Sequence, residues 1–263
     1  MNTADHALTQ IAGSRLTAPS VAIEACVDTL TSARNAQTGG ADRIELCDNL
    51  GDAGTTPSHG TLRLALEQLK LTVFPIIRPR GGGFVYDDND VAVTRADLQH
   101  ARDLGAPGAV IGAITADGDV HEAVTAALRA DAPDMQITFH RAFDVCRDPH
   151  AALETLIKLG INRVLTSGQA ATAWEGRELI AALVRQSAGR IGILAGGGVN
   201  ENNAADLVRL TGVTELHVRG ATLRGDAGPR SGIPFRKALP KDELARGVTD
   251  VARVAAIRRA VTV

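Results

Sequence analysis

Eight short runs rich in Val, Ile and Leu, each followed by a stretch of helical periodicity, constrain this 263-residue chain more than any other feature. The runs cover residues 21–27, 43–47, 73–78, 108–114, 136–140, 163–166, 191–195 and 215–218. Between the second and third, Leu62, Ala65, Leu66 and Leu69 recur at helical spacing. Asp148-Pro149 opens a helix with proline at its first position, and Gly39-Gly40, Gly105 and Gly160 stop three others. Strands and helices alternating at roughly 20 to 35 residues are parallel βαβ units. Eight such units in about 240 residues match a single (β/α)8 barrel of the TIM type. The competing fold, a doubly wound open sheet, calls for a glycine-rich fingerprint after the first strand. Ala25-Cys26-Val27-Asp28 carries none.

No linker composition interrupts the pattern, so residues 20–263 read as one barrel domain. Residues 1–19 are polar and mixed and read as a flexible extension without the apolar core of a signal peptide. Asn200 is the expected cap of the seventh helix. After the eighth strand, residues 220–234 read as a Gly-, Pro- and Arg-rich loop, and 248–260 as a closing helix.

Composition narrows the function. Aromatic residues make up 3% of the chain, too few for base-stacking platforms, and the net charge of −2 offers no general attraction to polyanions. No nucleic-acid partner is expected. No apolar run has the length of a membrane span, so no membrane partner is expected either. Three cysteines, Cys26, Cys47 and Cys146, without a signal sequence point to a reducing cytoplasm rather than a disulfide framework. Cys146 falls in a loop and reads as incidental. A homo-oligomer is the expected assembly.

In such barrels chemistry sits at the carboxyl ends of the strands, and here those ends are charged. The first two strands each carry Glu-x-Cys, giving Glu24 with Cys26 and Glu45 with Cys47. Residues two apart share a face of a strand. Strand three gives Arg78 and Arg80; strand five gives His140, then Arg141 and Asp144; strand six runs into Ser167; strand seven into Gly196-Gly197-Gly198; strand eight gives His217. Glu24 and Glu45, expected to differ by about one residue in height, read as a general acid–base pair or as hard ligands for a divalent cation. They read equally as members of an ionic network with Arg43, Arg78 or Arg141. His140 and His217 can move protons near neutral pH. Arg78, facing inward, and Arg80, nearer solvent, form a candidate anion clamp, with Arg141, Asp144 and Ser167 beside it. The glycines after strand seven can bring backbone N–H groups close to a phosphate, or simply make a tight turn. Cys26 and Cys47 are soft donors suited to Cu(I), or small buried side chains.

The motifs together resemble the CutC copper homeostasis family. They are Glu-Ala-Cys-Val-Asp at 24–28, Gly-Gly-Ala-Asp-Arg-Ile-Glu-Leu-Cys at 39–47, Gly-Thr-Thr-Pro-Ser at 54–58, Ile-Arg-Pro-Arg-Gly-Gly at 77–82, Thr-Phe-His-Arg-Ala-Phe-Asp at 138–144 and Val-Leu-Thr-Ser-Gly at 164–168. The resemblance implies a TIM barrel and a cytoplasmic, Cu(I)-linked role in which the thiols matching Cys26 and Cys47 are the proposed Cu(I) ligands. Gly83 and Arg219 depart from the family pattern, which more often has Asp and Ser there. Two functions follow as expectations. One is copper homeostasis through the paired thiols. The other is an isomerase, lyase or hydrolase acting on a small anionic metabolite, with Glu24, Glu45, His140 and His217 as acid–base groups. Cu(I) or a divalent cation is the expected inorganic partner, and no organic cofactor is expected.

Overall fold

The computed structural model describes residues 21–225 and 245–262. The expected extension over 1–19 lies outside them, as does the expected loop beyond Gly225. Eight parallel strands alternate with helices: β1 (Ala22–Val27), β2 (Arg43–Leu46), β3 (Thr72–Pro75), β4 (Gly108–Ile111), β5 (Gln136–Phe139), β6 (Arg163–Thr166), β7 (Gly192–Gly196) and β8 (Glu215–Val218). Helices α1 (Leu30–Thr38), α2 (His59–Gln68), α3 (Asp88–Asp103), α4 (Glu122–Asp131), α5 (Pro149–Lys158), α6 (Arg177–Ser187) and α7 (Ala204–Thr211) lie between them. The ladder runs β3-β2-β1-β8-β7-β6-β5-β4. A bridge between Ile76 and Val110, with the Ile77 N–H donating to the Val110 carbonyl at 2.7 Å, joins its two ends into a (β/α)8 barrel.

Local chemistry explains where the helices start. Thr29 accepts from the Ser32 N–H ahead of α1, Asp87 and Asp90 form a capping box on α3, and Asp148 accepts from the N–H groups of His150 and Ala151 ahead of α5. Among the boundaries that differ from the sequence reading, three have a visible cause. Strand β3 ends at Pro75 instead of 78, because the Arg78 backbone leaves the sheet to pair with Thr56: its N–H reaches the threonine hydroxyl and its carbonyl takes the threonine N–H. Helix α7 starts three residues late. The Asn200 side chain is taken by the Asn202 N–H, and Asn203 stands at the cap. Residues 221–225 form not a loop but β9 (Ala221–Gly225), antiparallel to β10 (Ala245–Thr249), which leads into the closing helix α8 (Val251–Val261). That pairing is made far along the chain, where local pattern carries no signal.

Ala, Val, Leu and Ile fill the layer between barrel and helices, as the scarcity of aromatics requires. The barrel interior is different. Phe74 fills it together with Cys47, Ile76 and Val110. Gly108 on the adjacent strand makes room, since a Cβ there would lie 2.4 Å from the ring. Toward the N-terminal ends of the strands the interior is ionic. Arg43 pairs with Glu24 and with Glu215 at 2.6 Å, and Arg163 pairs with the same Glu215 oxygen at 2.7 Å. Both guanidiniums also lie over Phe74, at 5.2 and 5.8 Å from its centroid. Two cations balance two carboxylates, so the floor of the barrel is neutral as a unit but intolerant of losing one member. We expect Glu215→Ala, which strands two buried guanidiniums on one carboxylate, to cost about 3 kcal/mol of stability in a urea titration, with Glu215→Gln costing less because one acceptor survives.

Candidate functional site

Above this floor the polar residues of β1, β2 and β8 meet. The register sets Glu24 beside both Arg43 and His217, and Cys26 beside Glu45. The two glutamates therefore differ by two residues in height, not one. Both Arg43 and Glu24 face the interior, so the level of Glu24 is already filled on β2.

Glu24 is wholly buried, between Arg43 and the His217 Nδ1, which lies 2.8 Å from its Oε1. Burial pushes its carboxyl up, but Arg43 and His217 together outweigh this and hold it at about 2. It is a fixed anion that orients the imidazole. The other ring nitrogen, Nε2, is 3.7 Å from Glu45 Oε2. Burial opposes an imidazolium here. Hydrogen bonds to Cys26 and Glu24, with the charge of Glu45, reverse that and raise the His217 pKa well above its ordinary value. Glu45 moves the other way from Glu24. Burial first, then the Cys26 thiolate, push its carboxyl well above the usual range, and His217 offsets this only in part. The two carboxyls thus have opposite proton affinities, through their separate surroundings far more than through mutual repulsion.

The Cys26 and Cys47 sulfurs lie 3.9 Å apart, and Cys47 Sγ is 3.5 Å from Glu45 Oε2. The hydrogen bond from Cys47 is the main cause that lowers the Cys26 thiol well below its ordinary value, against burial and with help from His217. The same contact, with burial, raises Cys47. The pair therefore gives up its first proton at Cys26. Among the described residues, Cys26, Glu45 and Cys47 present ligand atoms all within 4.8 Å of one another. Cys146 stands apart. Its thiol points at the Ala142 carbonyl, and burial raises it to about 11.

Cys26, Glu45 and His217 open onto a cavity of about 640 Å³ that also reaches Arg78, His140, Arg141, Asp144, Gly197 and Gly198. The other candidates are placed as follows. Arg80 lies outside the cavity, ion-paired with Asp90 at 2.6 Å and stacked on Tyr86. Arg78 is buried, as its spacing predicts, but holds loops: its Nη1 donates to the carbonyls of Asp52 and Gly54 and its Nη2 to that of Gly82, all at 2.6 Å. Arg141 binds Asp144 and the Ser167 hydroxyl, each at 2.7 Å. Asp144 in turn accepts from the Thr166 hydroxyl and the Ser167 N–H, which fixes the exit of β6. Gly196 is a packing glycine, since a Cβ would lie 2.5 Å from Leu165, whereas Gly197 and Gly198 turn at φ of 100° and 73°. His140 lies against Gly112, where a Cβ would be 2.3 Å from the ring. Its Nδ1 accepts from the Ala142 N–H at 3.1 Å. Burial, then Arg78, hold its pKa down to about 3, which favours the neutral imidazole near pH 7.

Sequence reasoning missed Glu215 and Arg163 in the floor, and Arg253 at the cavity edge. Glu215 carried a readable signal, because Glu215-x-His217 repeats the spacing of Glu24-x-Cys26 on one face of a strand. Arg253 carried none, because only the packing of α8 brings it there.

The model of the CutC family matches residues 21–222. The chain belongs to the CutC family. The human copper homeostasis protein cutC homolog is 44% identical over 235 residues, covering 88% of this chain and 86% of its own length. A CutC family protein of Chromobacterium violaceum is 45% identical over 240 residues, covering 90% and 97%. A solved CutC structure from Streptococcus agalactiae superposes with a TM-score of 0.73 at 33% identity, covering 75% of this chain and 98% of that one. Phosphoribosylanthranilate isomerase from Pyrococcus furiosus, at TM-score 0.53 and 12% identity, shares the barrel, with 92% and 98% covered.

The depressed His140 sets a pH dependence for this CutC chain. An unfolded chain protonates the side chain below about 6.5, while the folded protein resists until about 3. The unfolded state therefore binds more protons between these values, and folding stability falls as pH falls through the window. Compared with His140→Gln, the wild type should lose about 1.4 kcal/mol more per pH unit in urea titrations between pH 6 and 4.

Proposed function

We propose that this chain binds Cu(I) through Cys26 and Cys47, with Glu45 as a third donor, and serves copper homeostasis in a reducing cytoplasm. The carrying observation is the 3.9 Å approach of two thiols beside a carboxyl within 4.8 Å. Thiolates are soft ligands that favour Cu(I) over hard divalent cations. A metal–thiolate bond of roughly 2.3 Å lets one ion touch both sulfurs at this separation. Cys26 faces the cavity and releases its proton first, so it is the sulfur that meets an arriving ion, with Cys47 behind it. The names of the human and streptococcal relatives agree with the copper reading. Copper here is cargo.

A second reading, an enzyme acting on a small anionic metabolite, is favoured by the cavity itself. A copper carrier needs no recess of about 640 Å³ edged by Arg78, Arg141, Arg219 and Arg253. In that reading Glu45 is the proton donor, His217 its partner and Glu24 the anion that orients His217.

Anaerobic competition against a Cu(I) chelator separates the contributions. Cys26→Ser/Cys47→Ser should lose more than roughly 100-fold in affinity, and Glu45→Gln about 10-fold. Wild-type affinity in the double variant would sink the copper assignment.

A further inference from the structure

Arg78 differs from every other buried arginine of the described residues. It is 2% exposed, yet the groups it bonds are neutral: the carbonyls of Asp52, Gly54 and Gly82, with the Tyr86 hydroxyl beside it. Arg163, 9% exposed, has Glu215, and the half-buried Arg43 has Glu24 and Glu215. Among the described residues no carboxylate forms an ion pair with Arg78. A buried charge without a counter-ion is costly, and its Nε–H is, in addition, without any acceptor.

His140 has the same deficit. Its Nδ1 is engaged as an acceptor by the Ala142 N–H, so the neutral ring carries its proton on Nε2. That N–H is buried and unpaired. The backbone is shaped to place it, since Gly112, just after β4, is empty where the imidazole lies. Both side chains line the same cavity, and one ring touches both: Phe84 sits 5.1 Å from the Arg78 guanidinium carbon and 4.9 Å from the His140 centroid. Phe84 follows Gly81-Gly82-Gly83, whose carbonyls are held by Arg78 and Arg80, so the ring moves by side-chain rotation on a fixed backbone.

We propose that Arg78 Nε–H and His140 Nε2–H form the seat for the carboxylate of a small organic acid, covered in the free protein by the Phe84 ring. The seat rests on the anionic-metabolite reading and specifies its ligand. A carboxylate brings two acceptor oxygens for two idle donors and one negative charge for one unbalanced guanidinium. The walls nearby are apolar, with Leu50, Ala53, Ile76 and Phe84. They suit a monoanion with a carbon skeleton better than a phosphate dianion, which needs more donors than two. Arg78 and His140 follow β3 and β5, and the Leu50 and Ile76 walls beside them also pack against Cys26 and Cys47.

The test is NMR of the full-length protein labelled with ¹⁵N-histidine, titrated with acetate, pyruvate, succinate and benzoate, and in parallel with inorganic phosphate. A saturable shift of the His140 Nε2–H signal with at least one carboxylate is expected, with binding at least tenfold weaker in His140→Phe. Phe84→Ala, which leaves both donors in place, should bind that carboxylate at least as tightly as wild type. Loss of binding in Phe84→Ala assigns recognition to the ring and overturns the seat. Phosphate binding with His140 unmoved overturns the seat but leaves the anionic-metabolite reading standing. No saturable binding of any anion overturns both.

Discussion

The contact between Arg43 and Glu24 is the one on which the rest of the site depends. It lies inside the barrel, where an uncompensated carboxylate would not stay ionised. By holding Glu24 as an anion, Arg43 makes it an acceptor for His217 Nδ1. That bond turns His217 Nε2 toward Cys26 and Glu45 and favours the imidazolium. The thiolate character of Cys26 then follows from Cys47 and His217 together, and the protonated state of Glu45 from its burial beside that thiolate. A guanidinium at the N-terminal end of the barrel thus sets proton positions at the opposite end, through three side chains in hydrogen-bond sequence.

Charge balance divides the interior into compartments. In the floor, Arg43 and Arg163 offset Glu24 and Glu215. Above it, proton affinity is raised at His217 and Glu45 and lowered at Cys26, which lies between them. At the edge, Arg141 is matched by Asp144 and Arg253 by Glu201. Arg78 alone among the buried cations of the described residues is satisfied only by neutral oxygens. Arg129 is likewise held by backbone carbonyls, those of Ala132, Pro133 and Met135, but is less buried than Arg78. Three backbone carbonyls could be bridged at lower desolvation cost by a neutral side chain.

The barrel was legible because its signals are local. Strand-length apolar runs, helix caps and stop glycines each act over a few residues, and their alternation allows few folds. The inward face of the strands was legible too, since Glu24 with Cys26 and Glu45 with Cys47 share a side by periodicity alone. Register was not. Whether Glu45 lies level with Glu24 or with Cys26 depends on how β1 and β2 slide, which is set by side chains from the whole ring, including Phe74 in the space left by Gly108. Hydrogen-bond partners were equally hidden. That Arg78 faces inward and Arg80 outward was readable, but not their partners, the carbonyls of Asp52, Gly54 and Gly82 for one and Asp90 for the other. His140 and His217 look like a matched pair, yet burial and then Arg78 lower the first, whereas Cys26, Glu24 and Glu45 raise the second against its burial.

That divergence bears on how the two proposed activities relate. An ion held by Cys26, Cys47 and Glu45 needs deprotonated ligands, so it occupies the one carboxyl that otherwise keeps its proton. Glu45 cannot serve as a proton donor and as a metal ligand at once. The thiols and the acid–base group are too close, 3.5 Å between Cys47 Sγ and Glu45 Oε2, for the two states to coexist. Arg78 and His140 belong to neither state, because neither is among the three proposed ligands. On the two proposed readings taken together, copper at the thiols would remove the Glu45 proton that chemistry on a bound carboxylate would use, so the two activities would exclude one another.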